Sequence, residues 1–282
     1  METVVTEEWG SIIFGRIRKP SRTTTEWDIE DVLLQLTTLR LNSFHISWGS
    51  KAYHGLAELR LNDNFRLSRP EFMNILISSP QLRILEIGRL YERFLEASSP
   101  NTPIRLDNLE ILALGKVTDN FLGSVLRLIV PGTRPLSLSI MNPYQNGSEF
   151  SSMEELQNFV ARSNVTRLCA NGFAGYSQLA EVLSLMPTVR TLGVDQFMCD
   201  AIDDESTLPL ILQIDALYVL NSTRSCAFTW SSIEEFTKKH DVRALTLWNY
   251  NFRHSGIGKA GEETVPDNLH TICPVPSSLG SH

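Results

Sequence analysis

The chain has no hydrophobic run approaching the roughly eighteen apolar residues that a membrane-crossing helix needs. Its opening stretch, METVVTEEWG, is acidic where a secretory leader is basic and then apolar. An intracellular location, cytoplasmic or nuclear, is expected, with no membrane partner. Cysteine is sparse too: Cys169, Cys199, Cys226 and Cys273 are widely scattered, and no CxxC pair signals a zinc site or a disulfide framework. They read as reduced thiols. Positive charge is also short, and a formal net charge of −7 argues against nucleic acid as a partner, because phosphate binding needs a concentrated basic face. The one basic cluster, GRIRKPSR at 15–22, reads as a solvated loop. Three sequons begin at Asn146, Asn164 and Asn221, and they carry meaning only in a secreted protein.

Catalytic signatures are missing as well. GIGKAGEE at 256–263 resembles a phosphate loop, but GxxxxGK[ST] demands glycine where Arg253 stands and a hydroxyl where Ala260 stands. There is no GxSxG elbow and no HExxH, and the histidines at 45, 54, 240, 254, 270 and 282 show no ligand spacing. His240 reads as structural. The acidic run DAIDDES at 200–206 lacks the glycine and terminal glutamate of a calcium loop and reads as a linker. No catalytic residue, metal site or cofactor is expected, and an enzyme with a divergent site is the remote alternative.

What the sequence does have is recurrence. Its 282 residues, 42% of them hydrophobic, suffice for one large domain or two ordinary ones with a continuous core. In GLAELRLNDN at 55–64, Leu56, Leu59, Leu61 and Asn64 are spaced three, two and three apart, which is neither a helical period nor a long strand alternation. Relatives of this stretch run along the chain: LTTLRLNSF at 36, LRILEIGRL at 82, LEILALGKV at 109, PLSLSIMNP at 135, VTRLCANGF at 165, VRTLGVDQF at 189, IDALYVLNS at 214 and VRALTLWNY at 242. Their central leucines are Leu39, Leu59, Leu85, Leu112, Leu138, Leu168, Leu192, Leu217 and Leu245, with neighbours 20 to 30 residues apart. LxxLxL recurring at about this interval is the leucine-rich-repeat pattern.

The connecting segments read as short helices. SRPEFMNILISSP offers Ser68 as N-cap, Pro70 in the first turn and Glu71 as the capping-box partner. SMEELQNFVARS repeats the device with Ser152 and Glu155, and SIEEFTKKH does so in looser register with Ser232 and Glu235. DNFLGSVLRLIVPG and YSQLAEVLSLMP supply two more helices, each closed by proline or glycine. A unit of strand plus helix cannot bury both faces alone, so neighbours must stack. The expected fold is an α/β leucine-rich-repeat solenoid of about nine irregular repeats, with a curved parallel sheet inside and helices outside. It would occupy residues 27–255, after a lead-in at 1–26 and before a cap or loose tail at 256–282. EWDIEDVLLQL at 26–36 would be the amphipathic helix covering the first repeat.

SSPQLRILEIG at 78–88, LDNLEILALG at 106–115 and LRLIVPGTRPLSLSI at 126–140 resemble the leucine-rich region of the F-box-like proteins of basidiomycete fungi, over roughly residues 27–255. The resemblance implies a substrate-recognition region of a ubiquitin-ligase receptor, in which an N-terminal F-box docks on a Skp-type adaptor. Residues 1–35 lack the leucine-proline opening and three-helix pattern of an F-box, so adaptor binding is expected only if one is supplied upstream. A repeat-only scaffold or inhibitor unrelated to ubiquitin is the alternative. Either way the partner is a protein bound on the concave face. Strand alternation nominates Arg40, Glu58, Arg60, Asn62, Glu86, Arg167, Asp195, Tyr218 and Trp248 for that face, and Arg, Tyr and Trp are the types that dominate binding hot spots.

Overall fold

The structure, a computed structural model, describes residues 3–7, 11–15, 33–42, 46–90, 102–141, 152–173, 175–195, 212–220 and 230–248. It is a mixed α/β chain whose large parallel sheet has nine strands, and it divides into two compact units, Met1–Arg134 and Pro135–His282.

The first unit opens with an antiparallel pair, β1 (Thr3–Glu7) and β2 (Ser11–Gly15). Four strands of the large sheet follow: β3 (Thr38–Leu41), β4 (Glu58–Phe65), β5 (Ile84–Leu90) and β7 (Ile111–Lys116). They pair in parallel so that Leu39, Leu59, Leu85 and Leu112 stand side by side, as do Leu41, Leu61, Ile87 and Leu114. All eight side chains are buried. Between β5 and β7, β6 (Ile104–Leu106) pairs in parallel with β8 (Ile129–Pro131), a second small sheet that no leucine pattern announced.

Two helices connect these strands. α1 (Arg69–Ser78) begins with the expected capping box: the Ser68 side chain accepts from the Glu71 N–H, and the Glu71 carboxylate accepts from the Ser68 N–H at 2.8 Å. Its Phe72, Ile75 and Leu76 are buried, and Phe72 packs on Phe121 of α2 (Asp119–Leu128) with ring centroids 6.0 Å apart. Thr118 caps α2, a role the sequence reading did not give it. The connection from β3 to β4 holds a 3-10 turn at Lys51–Tyr53 instead of an α-helix. It is anchored by the buried Ser79, whose hydroxyl donates to the Tyr53 carbonyl at 2.8 Å and accepts from the Leu56 N–H at 3.0 Å. Of the segment 26–36 expected to be a helix, 33–36 are described: Leu36 is buried and Leu34 is exposed.

The second unit carries β9 (Pro135–Met141), β10 (Asn164–Asn171), β11 (Thr191–Asp195), β12 (Ala216–Leu220) and β13 (Ala244–Trp248), again in sequential parallel order. Leu138, Leu168, Leu192, Leu217 and Leu245 are register partners in turn. In the strand of the irregular fifth repeat Leu138 pairs with Leu168 like its counterparts, with a register shift against β10 between Val165 and Arg167, and residues 142–151 lie outside the described residues. α3 (Met153–Val160), α4 (Tyr176–Ser184) and α5 (Trp230–Lys239) join the strands. Two expected caps differ. Ser152 holds the N-cap position of α3, but its side chain makes no capping bond, and Ser232 lies inside α5, which starts two residues earlier.

His240, immediately after α5, is buried and within 2.9 Å of the Tyr176 hydroxyl through Nε2, with the Phe236 ring 4.4 Å away. Burial, helped by the nearby Lys239 charge, lowers its pKa to about 4, so the ring is neutral and structural. Cys169 overturns an expectation: it is disulfide-bonded, not a reduced thiol. Its 0% exposure in β10 does not distinguish the two states, and spacing along a sequence says little about which sulfurs a fold brings together. The other three cysteines, the run at 200–206 and the tail at 256–282 lie outside the described residues.

Candidate functional site

Alternation along each strand puts one set of side chains on the core and the other on the opposite face. In the first unit that opposite face carries an ion-pair ladder. Arg40 and Arg60 are register partners, as are Arg60 and Glu86, while Glu58 sits one rung earlier on β4. The Arg40 Nε donates to Glu58 Oε1 at 2.7 Å, the Arg60 Nε donates to the same oxygen at 2.6 Å, and an Arg60 Nη donates to Glu86 Oε2 at 2.7 Å. The four groups form one charge-assisted chain across three strands.

Arg40 is the most exposed member of the ladder, with a side chain 42% exposed, and Glu86 the least at 10%. The protonation equilibria follow. Burial alone would raise the Glu58 carboxyl, but hydrogen bonds and charge from Arg40 and Arg60 outweigh it and hold the group below the usual range. Burial raises Glu86, against the opposing pull of Arg60. Burial works against the Arg60 charge, and Glu86 and Glu58 on either side restore it and raise its pKa. Arg60 is the joint of the ladder, since it bonds both carboxylates.

At the position after the second core residue, the strands carry Asn42, Asn62, Gly88 and Gly115. Asn62 is half-buried, with an Oδ1 that lacks a hydrogen-bond partner. Beside it the sheet has no room for side chains: a Cβ on Gly115 would collide with the Gly88 carbonyl oxygen, and one on Gly88 would crowd the Asn62 backbone. The register shift between Leu61 and Asn64 falls at this point. The side chain of Asn64 is outside the described residues.

The second unit treats its nominated residues differently. Arg167 is exposed, whereas Asp195 and Tyr218 are buried at 6% and 8% exposure. Their register neighbours Cys169, Gly193 and Leu220 are buried as well. The Trp248 side chain lies outside the described residues. The structure thus brings Arg40, Glu58, Arg60 and Glu86 together, places Asn62 beside them, and leaves Arg167, Asp195 and Tyr218 elsewhere.

A second network escaped the sequence reading. Two positions before the central leucines, Arg83 makes a two-pronged contact with Glu110, which also accepts from Arg134 at 2.7 Å. Its signal was present, because Arg83 and Glu110 occupy equivalent places in adjacent units. These groups are more exposed than the ladder, and such pairs contribute little individually.

Among the described residues no cluster of three or more His, Cys, Asp or Glu could hold a metal ion. No helix among them is long and apolar enough to cross a membrane. Comparison of the chain with protein-family models finds no match, and comparison with curated proteins finds none either.

Proposed function

We propose that the chain is a protein-interaction module: a leucine-rich-repeat solenoid whose concave sheet face binds another protein, and which serves as the substrate-recognition region of an F-box-like ubiquitin-ligase receptor. The observation that supports it is the ladder of Arg40, Glu58, Arg60 and Glu86 on the sheet face opposite the leucine core. Side chains held by one another on a packed sheet lose little further freedom when a partner arrives, and that ordering entropy is a main cost of binding. The surface is centred on the first unit, where Arg40, with a side chain 42% exposed, is the most accessible charge of the ladder and Glu86 the most buried.

A photo-crosslinking residue at position 42, beside the ladder, tests the face in cells, with the exposed Ile77 of α1 as the comparison position. A partner captured from position 42 and not from 77 supports the reading, and equal capture from both removes it. The ligase assignment has its own test: a Skp-type adaptor should co-purify when an F-box is present upstream in frame, and not with residues 1–282 alone. An extended chain that still fails to hold the adaptor leaves a scaffold or inhibitor unconnected with ubiquitin.

A further inference from the structure

The outward face of the first unit changes character from one strand to the next. From β4 to β7, the residues just before the central leucines are Glu58, Ile84 and Ile111, all half-buried, and the two isoleucines are register partners. From β3 to β7, the residues just after them are Arg40, Arg60, Glu86 and Ala113. Two positions further on, the asparagine of β4 gives way to Gly88 and Gly115, where the approach of the backbones leaves no space for a Cβ. Long polar side chains therefore stand on β3 and β4, while β5 and β7 present two isoleucines, one methyl group and bare backbone. The Glu86 carboxylate does not interrupt this apolar shelf, because it is bonded across to Arg60 on β4 at 2.7 Å. The ladder that borders the shelf is neutral by count and cationic by exposure. Arg40 and Arg60 have side chains 42% and 20% exposed, against 14% for Glu58 and 10% for Glu86. The charge that meets an approaching molecule is guanidinium.

We infer that this face takes an extended segment of another protein that carries an Asp or Glu close to one large apolar side chain. The inference rests on the interaction reading above and narrows it to one class of ligand. The carboxylate pairs with the two arginines. A guanidinium offers five N–H donors in a fork that suits a planar carboxylate, and Arg60 already bonds two carboxylates at once. The apolar side chain lies on Ile84, Ile111 and Ala113, where it removes exposed aliphatic surface from water. Sheet geometry sets the spacing. Neighbouring strands are about 4.8 Å apart, so the midline between β5 and β7 lies roughly 7 Å from β4 and roughly 12 Å from β3. An extended segment laid across the strands advances about 3.3 Å per residue, which separates its carboxylate from its apolar residue by about two to four positions. A basic segment meets like charge on the same face and is disfavoured. The glycines serve the fit, because a side chain at 88 or 115 would raise the floor beside the shelf.

Panning a phage-displayed library of random dodecapeptides on the full chain tests this, with synthetic copies of the enriched peptides titrated for affinity. Those peptides should share an acidic residue and a Trp, Phe or Leu at the spacing given above. Arg40→Gln should weaken such a peptide roughly tenfold, and should have no further effect once the peptide's acidic residue is replaced by its amide, as a direct pair requires. Ile111→Thr, which keeps the β-branched shape, should weaken the same peptide while leaving its dependence on the carboxylate intact. Enriched peptides that lack an acidic residue, or an acidic peptide indifferent to Arg40→Gln, overturn the inference and leave the interaction reading standing. A panning that enriches nothing overturns it too. Failure of the broader reading is seen separately, as equal crosslinking from positions 42 and 77. Arg40 is the most exposed member of the ladder, so its substitution leaves the sheet intact, and an Ile111→Thr chain that fails to fold does not shelter the proposal.

Discussion

At the scale of single residues, the ladder separates position from consequence. Arg60 and Arg40 are adjacent register partners, and Arg60 joins two carboxylates, one of them on the largely buried Glu86, while Arg40 is the more exposed of the two. Removing one partner of a buried pair leaves an uncompensated charge, whereas truncating an exposed partner costs little. Arg60→Ala should therefore lower stability by about 3 kcal/mol and Arg40→Ala by no more than about 1 kcal/mol, measured by urea unfolding. The Arg60→Ala defect should also shrink on acidification. With its counter-ion gone, the buried Glu86 carboxyl has a folded pKa further above its unfolded one, so the folded state binds the extra proton and regains stability as pH falls through that value. The reverse pH trend would show that Glu86 is solvated in the variant.

His240 has the opposite sign. Its folded pKa, about 4, lies below the ordinary 6.5, so its contribution is complete above pH 6.5. It is lost progressively as pH falls toward 4, because only the unfolded chain takes up the proton. At 1.36 kcal/mol per unit the loss across that window is of order 3 kcal/mol. His240→Gln should flatten the decline of the unfolding midpoint between pH 7 and pH 4.5, and an unchanged decline would place the acid sensitivity elsewhere.

At the scale of elements, what was legible depended on range. The capping box of α1 uses residues three apart, so Ser68 and Glu71 declare it in the sequence. Ser68→Ala should cost about 1 kcal/mol, seen as a lower melting temperature with α1 amides exchanging faster. Ser152 and Ser232 show the same letters without the same geometry, because backbone angles at a helix start are set by where the preceding strand delivers the chain. Ser152 sits at φ −91° and ψ 25° instead of the extended conformation found at Ser68. The glycines at 88 and 115 have their reason in a backbone approach between neighbouring strands, which no local signal reveals. Gly115→Ala must push β5 and β7 apart and should cost about 1–3 kcal/mol. Calorimetry checks this, and a neutral result would mean the strands yield easily there.

At the scale of the whole molecule, the disulfide at Cys169 bears on where the protein works. Structural disulfides persist in oxidising compartments and are rare in the cytosol and nucleus, so this bond and the proposed ubiquitin-ligase role call for different settings. Thiol titration of the denatured chain decides between them: fewer than four of the four cysteines should react without reductant and all four after reduction. Four reactive thiols without reductant would remove the bond and return the intracellular reading.

The sequence by itself determined the parallel order of the leucine-bearing strands within each unit and the alignment of their central leucines. Leucines recurring every 20 to 30 residues can be buried together only if each strand lies beside the next with the same positions facing the core, and Leu39 through Leu112 and Leu138 through Leu245 pair accordingly. It also nominated Arg40, Glu58, Arg60 and Glu86, since alternation within a strand is local. Only the tertiary structure decided which nominated residues meet and which are buried. A hydrogen bond between Arg60 and Glu86 depends on how neighbouring strands place side chains 26 residues apart, and the burial of Tyr218 and Asp195 depends on what packs over a face whose own pattern leaves it outward.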